Sequence, residues 1–326
     1  MEDDILFRLR HGVSFPTFIM LFVFAVLFVY GGYLEGDLKI NEPQQVTQNF
    51  IDKDADLSVH YIDVGQGDCS LVVYGDETLL IDGGEAENSR FVTGYIASLG
   101  ITQLDYIVAT HPHSDHIGSL AEVIRTFDVE NVIAPRVSDD MIPTSSIYED
   151  FLLSLKEKGL RLKAAKPGDV YSMADMTVEN DNTSFEILGP VGNDYDDLND
   201  WSVILKLVHG ETSFIFTGDA EKRAENDVLD SGADVSADVL KAGHHGSSSS
   251  TGERFLSAVS PEIAVIQCGN GNSYGHPHAQ VTELLDEYGV KTYRTDESGT
   301  VIIYSDGHEV REGKENAPED EINVDS

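Results

Sequence analysis

Thr110–Gly118 reads "THPHSDHIG" and follows directly on the apolar run "LDYIVA" at residues 104–109. Three of the chain's 11 histidines and one aspartate fall within six residues, where a short buried strand would end. Imidazole nitrogen and carboxylate oxygen in one loop are donors for zinc, manganese or iron. His111 and His113, two apart on an extended loop, would point the same way. Asp115 and His116 would face a second ion beside the first. A hydrogen-bonded core histidine is the ordinary explanation for one such residue, but not for the whole H-x-H-x-D-H arrangement.

Further along the chain, "GHHGS" (His244, His245) and "GHPH" (His276, His278) also follow apolar runs, and "SFIFTGD" delivers Asp219 in the same way. Loops leaving the ends of strands converge at one sheet edge, so these groups are expected to meet. His60 alternates within a strand and reads as structural. His209 precedes Gly210–Glu211, which has the form of a two-residue hairpin turn. Asp219 lies at the far end of the returning strand, about 25–30 Å away at ~3.3 Å per residue, so His209 is not expected to join it. The same register sets Ser202 opposite Asp219 and brings Asn199 and Asp200 near. Asp63 and Asp82 end strands at Gly turns and are expected to brace the loops by hydrogen bonds.

From Leu57 the pattern is strand-like through "LSVHYIDV", "CSLVVYG" and "ETLLIDGG". Helices are expected from Asn88 to Leu99, over "IGSLAEVIRTF", and over "IYEDFLLSLKEKG" behind a capping box of Ser146 and Glu149. Strands dominate after Pro167. Helices are then expected from Ala220, from Thr251 and over "AQVTELLDEYG", and "KTYRT…TVIIYSDG" reads as a final hairpin. Two mixed sheets packed face to face, with helices outside, accommodate this order.

The chain has 326 residues, of which 58 are acidic and 21 basic, for a net charge of −37. So acidic a surface suits concentrated salt, where the Debye length falls to about 3 Å near 1 M, and points to a halophilic source. Two cysteines, Cys69 and Cys268, sit in strand-like runs without metal spacing and read as small buried residues. Residues 16–34 carry no charge and are long enough for about 28 Å of helix, close to the ~30 Å hydrocarbon core. Arg8 and Arg10 before them place the N-terminus inside and the remainder outside. A cleaved signal peptide is the competing reading. The expected division is a membrane anchor at 1–39, a linker at 40–56, a catalytic domain at 57–307 and an acidic disordered tail at 308–326.

"THPHSDHIG" resembles the signature of metallo-β-lactamase-fold hydrolases. "YIDVGQGDCSLV", "LLIDGG", "FTGDAE", "LKAGHHGS" and "YGHPH" resemble the extracellular hydrolase domain of ComEC-type DNA-uptake proteins and their stand-alone relatives. The resemblance implies a four-layer αββα sandwich, here with an N-terminal transmembrane helix, and two divalent ions, zinc or manganese, at one edge. It assigns His111 and His113 to the first ion, Asp115 and His116 to the second, and Asp219 to both. His245 is taken as the last ligand, with His244 left for the substrate or as an acid, although the two could be exchanged. Many members have one more histidine for the first ion, and none stands in that interval here except His209. Asn199 or a water is expected in its place, and His276 is expected at the substrate rim.

Two such ions would share a water and ionise it for attack on a phosphodiester, so the activity implied is that of an outward-facing phosphodiesterase or nuclease acting on DNA. The alternatives are hydrolysis of an envelope phosphoester, a lactone or a thioester, or a binding module that has lost catalysis. The partners implied are a phosphodiester substrate and the lipid bilayer.

Overall fold

Alternation along "LSVHY" makes β1 (Leu57–Tyr61), in which Leu57, Val59 and Tyr61 face the partner sheet while Ser58 and His60 face outward. The computed structural model describes residues 55–174 and 181–313. The proposed membrane span at 16–34 and most of the proposed linker and tail lie outside them. Among the described residues no helix is long and apolar enough to cross a membrane.

Along the chain β1 is followed by β2 (Ser70–Tyr74), β3 (Glu77–Ile81), β4 (Gln103–Val108), β5 (Asp128–Ala134) and β6 (Leu162–Ala164). Then come β7 (Val170–Ser172), β8 (Ser184–Ile187), β9 (Leu205–His209), β10 (Thr212–Phe216), β11 (Val239–Lys241) and β12 (Ile263–Ile266). The chain closes with β13 (Lys291–Arg294), β14 (Val301–Ser305) and β15 (Val310–Glu312). One sheet has the order β15-β14-β1-β2-β3-β4-β5-β6, and the other β13-β12-β11-β10-β9-β8-β7. Apolar side chains from both sheets, among them Val59, Val72, Phe185, Leu207, Phe214 and Val265, form one core between them.

Each outer face carries its own helices. Val92 and Ile96 of Ser89–Ser98, Val123 of Leu120–Thr126 and Phe151 of Ser146–Lys158 pack with Leu71, Leu80 and Ile107 of the first sheet. Val228 of Lys222–Ser231, Phe255 of Glu253–Val259 and Leu285 of Ala279–Glu287 pack with Ile204, Ile215 and Leu240 of the second. Helix, sheet, sheet and helix therefore form four layers. Each layer follows from its periodicity, two in the strands and 3.6 in the helices.

The pairing aims the loops. β3 is parallel to β4, and β1 runs the same way because β2 is antiparallel to both of its neighbours. β10, β11 and β12 are mutually parallel. The chain therefore leaves β1, β3 and β4 at one edge of the first sheet, and β10, β11 and β12 at one edge of the second.

Three expectations are corrected. β13 and β14 do not form a hairpin. Thr295–Ser298 forms a helical turn between them, β13 lies parallel to β12, and β14 pairs with β1 in the other sheet. The domain does not stop at 307. Asp306 Oδ1 accepts from the backbone N–H of His308 and Glu309, and this turn folds Val310–Glu312 back onto β14. The long helix after Pro143 is capped by Ser145, not Ser146, through a hydrogen bond from Tyr148 N–H.

Candidate metal centre

The β9–β10 register pairs Thr212 with His209 and Phe216 with Leu205, and continuing it sets Ser202 beside Asp219. Ser202 Oγ accepts from Asp219 N–H at 3.0 Å and lies 3.3 Å from His111 Nδ1. His209 sits at the opposite end, bonded to Thr183 Oγ1 and packed on Tyr74, and plays no part in the cluster.

Asp219 is the centre of the constellation. Its carboxylate approaches His111 Nε2 at 3.9 Å, His116 Nε2 at 3.2 Å, His244 Nε2 at 3.6 Å and His245 Nε2 at 3.5 Å. His113 reaches the same place, with Nδ1 3.0 Å from His111 Nε2, and Asp115 Oδ2 lies 3.3 Å from His245 Nε2. All six residues expected to hold ions therefore gather at one edge of the sandwich.

The backbone enforces this gathering. His244 and His245 both take left-handed φ, 49° and 54°, which costs non-glycine residues energy and turns both rings inward. Gly218, at φ 51°, packs so closely that an added Cβ would stand 2.8 Å from Thr110. Asp82 accepts from Thr110 N–H, Thr110 Oγ1 and His116 Nδ1 at 2.8, 2.6 and 2.8 Å, fixing the ring. Gln267 O takes the Nδ1 proton of His245 at 2.9 Å. In both histidines Nδ1 is thus engaged and Nε2 turned to the centre, the arrangement that ligating imidazoles need. Asp63 does no such bracing: its Oδ1 accepts from Gly65 N–H within its own turn.

One acid at the centre is absent from the sequence expectation. Asp68, at the end of the β1–β2 turn, pairs with Lys241 Nζ and lies 3.2 Å from His245 Nδ1. It belongs with His116, Asp219 and His245 to a set whose donor atoms all fall within 4.8 Å of one another. Gly67 is required before it, since any side chain there would strike the Asp115 carbonyl, which accepts from Asp68 N–H.

Four atoms of this set, Asp68 Oδ1, His116 Nε2, Asp219 Oδ1 and His245 Nε2, are buried with no hydrogen bond. Buried polar atoms left unmatched are costly, and four residues whose donors gather within 4.8 Å of one another suit a divalent cation. The electrostatics agree. Burial would depress His116 and His245, but Asp219 with Asp82 and with Asp68 respectively outweighs it, holding His116 well above its usual value and His245 up to about 10. Burial would likewise raise Asp219, but His116 and His245 keep it well below the carboxylate range. Asp115 is held low against burial by His245, whose Nε2 stands 3.3 Å away, and by the charge of His116. Protons on the imidazoles here do what cations would do.

His244 and His245 now differ. His245 is fully buried, whereas His244 is partly open, with Nδ1 near Ser249 Oγ and Glu221. His276 stands with its ring 5.6 Å from that of His244, and its Nδ1 is buried without a partner. Burial and then the charge of His245 push His276 down to about 4. His278 is structural and accepts from Ser248 N–H. Asn199 is buried with an unpartnered Oδ1 and holds Ser202 N–H through its carbonyl, and its Oδ1 makes no hydrogen bond to the histidines. The serines of "GHHGSSSST" do not cap the next helix. Gly252 occupies that position, and Glu225 accepts from Thr251 N–H and Gly252 N–H.

Residues 62–270 match the metallo-beta-lactamase superfamily, and the chain belongs to it. It is 34% identical over 263 residues to "ComE operon protein 3" of Bacillus subtilis, covering 74% of this chain and 32% of the relative. It is 31% identical over 267 residues to "Competence protein ComA" of Neisseria gonorrhoeae, covering 79% and 33%. The chain thus spans about a third of the length of these relatives. Among solved structures, a mutant of the beta-hydroxylase CmlA superposes with a TM-score of 0.52 at 14% identity, over 84% of this chain and 61% of the other, a likeness of fold alone.

Proposed function

We propose that the chain is a metal-dependent phosphodiesterase, with DNA as its first candidate substrate, held outside a membrane by residues 16–34. The observation that carries this is the convergence of unpartnered donor atoms from Asp68, His116, Asp219 and His245. His111, His113 and Asp219 would hold one cation, and Asp115, His116, His245 and Asp219 the other, with Asp68 beside the second. Two bound cations would supply Lewis acidity and ionise a water near neutral pH. The chain's own groups do the rest. Asp82 and Gln267 fix the two buried imidazoles. Asp219 is locked by Ser202 so that its two oxygens face different histidines. His244, partly open and close to Asp219, is placed to pass a proton to a leaving oxygen. His276, neutral at neutral pH, is placed to contact the substrate at the rim.

The likeness to competence proteins favours DNA, and the charge of −37 speaks for high external salt, which would screen the repulsion between enzyme and polyanion. A second reading is hydrolysis of an envelope phosphoester, a lactone or a thioester, and of these the uncharged lactone and thioester gain from the carboxylates Asp63, Glu85 and Glu87 beside the centre. The deciding experiment offers single-stranded DNA, bis-p-nitrophenyl phosphate, a lactone and a thioester to the zinc- or manganese-loaded chain at low and multi-molar salt. DNA cleavage that EDTA abolishes, and that Asp115→Ala lowers at least ~100-fold, is expected. Cleavage of the small diester without DNA would reject the nuclease reading. Less than one ion retained per chain after chelator-free purification would favour a binding module.

A further inference from the structure

A cleft of about 920 Å³ opens beside the centre and reaches Asp115. Its walls combine three kinds of group. Asp63, Glu85 and Glu87 bring negative charge, and Asn270 and Gln66 bring neutral amides. Phe91 and Tyr274 bring aromatic rings that are 49% and 65% exposed. Among the described residues no lysine or arginine lines it. Such a cleft repels phosphate, yet it presents two large aromatic surfaces to water in a protein whose surface is otherwise densely acidic.

Each ring has an aromatic neighbour. Tyr274 stacks on His276 with centroids 5.6 Å apart and planes 20° from parallel, and its N–H donates to Asn272 Oδ1. His276 in turn adjoins His244 and His245, so the exposed tyrosine continues the catalytic rim. Phe91 projects from the helix Ser89–Ser98 and leans on Tyr95, with centroids 6.3 Å apart. Exposed aromatic rings are platforms for other flat rings, and base–aromatic stacking is insensitive to base identity. Carboxylates that cannot meet phosphate can accept from the amino groups of nucleobases, as they do from cytosine N4.

We propose that this cleft binds nucleobases of a single-stranded substrate, stacked on Tyr274 and Phe91, while the chain's phosphates are met only at the metal centre. The inference rests on the nuclease reading above and deepens it: the enzyme grips bases, and so needs no basic stripe. It also makes binding tolerant of salt, because no counterions are released from phosphates along the cleft.

The test uses binding without turnover. The 326-residue chain in EDTA is titrated with a fluorescein-labelled deoxycytidine oligomer and with an abasic chain of the same phosphate number, followed by anisotropy. The oligomer is expected to bind at least ~10-fold tighter than the abasic chain. Tyr274→Ala and Phe91→Ala should each weaken it about tenfold, and Tyr274→Phe should restore it. Raising KCl from about 0.1 to about 1 M should weaken binding less than ~5-fold, the effect of a single phosphate contact. Equal binding of the abasic chain, no binding of either, or indifference to Tyr274→Ala would overturn the inference. Cleavage by the metal-loaded chain is scored separately. Base-independent binding with cleavage removes the cleft's role and leaves the nuclease. Base-dependent binding without cleavage removes the nuclease and leaves the cleft.

Discussion

Asp68→Asn perturbs the centre where its charges depend most on one another. Lys241 ends a buried strand with 1% of its surface exposed, and its Nζ reaches the Asp68 carboxylate and the Gly218 carbonyl. Asparagine keeps the volume at 68 but leaves that ammonium facing a neutral amide, beside a protonated His245 that Asp68 also supports. Breaking one side of a buried pair costs about 3–5 kcal/mol. For a domain of this size that lowers Tm by about 6–20 °C. Calorimetry in the presence of chelator reads it without cations to compensate. Burial would raise the Asp68 pKa, but Lys241 and then His245 hold it below its ordinary 3.8. The contribution is therefore complete above that value and is lost as pH falls below it, so wild type and variant should converge in acid. Adding Lys241→Met to Asp68→Asn removes the stranded charge and should return most of the loss. A single variant within ~1 kcal/mol of wild type, or a double variant worse than the single, would refute the reasoning.

His116 and His245 carry protons in the cation-free protein, and binding through Nε2 must release them, so apparent affinity for manganese should rise between about pH 6 and 9 by up to ~10-fold per proton per unit. Titration calorimetry in two buffers of different ionisation heat counts the protons, and a flat profile would remove both residues from the ligand set. Burial lifts Glu225 from 4.5 to about 7, so folding favours its protonated form and stability should fall by roughly 3 kcal/mol as pH rises through that window. Urea titrations at several pH values check this, and Glu225→Gln should flatten the slope. Raising KCl from about 0.1 to about 2 M should raise Tm by screening a net charge of −37, and a decrease would contradict the salt-adapted reading of the surface.

Much of the site was legible because strand exits and donor residues coincide in the sequence. "LDYIVAT" announces a strand and delivers His111, and the hairpin at Gly210–Glu211 fixes where Asp219 must lie. Asp68 was missed because "GQGD" reads as an ordinary glycine turn. The signal that could have found it is Lys241, a cation inside the buried run "DVLKAG", which required an acid from elsewhere. The choice between His244 and His245 was not legible, since the two neighbours share almost the same left-handed φ and differ in burial and partners, which only the folded chain sets. The misread hairpin has a similar cause: β13 and β14 carry the pattern of paired neighbours, and the short helical turn at Thr295–Ser298 that separates them has too few residues to announce itself.

The donors at the centre come from both halves of the sandwich. Asp68, His111, His113, Asp115 and His116 leave strands of one sheet, and Asp219, His244 and His245 leave strands of the other. A cation held among them would act as a rivet through the mouth of the sandwich. Stripping it should let that rim splay, with faster amide exchange at Thr110–Gly118 and Gly243–Gly246 than at the Gly210 end. Neither half of the molecule could build the centre without the other.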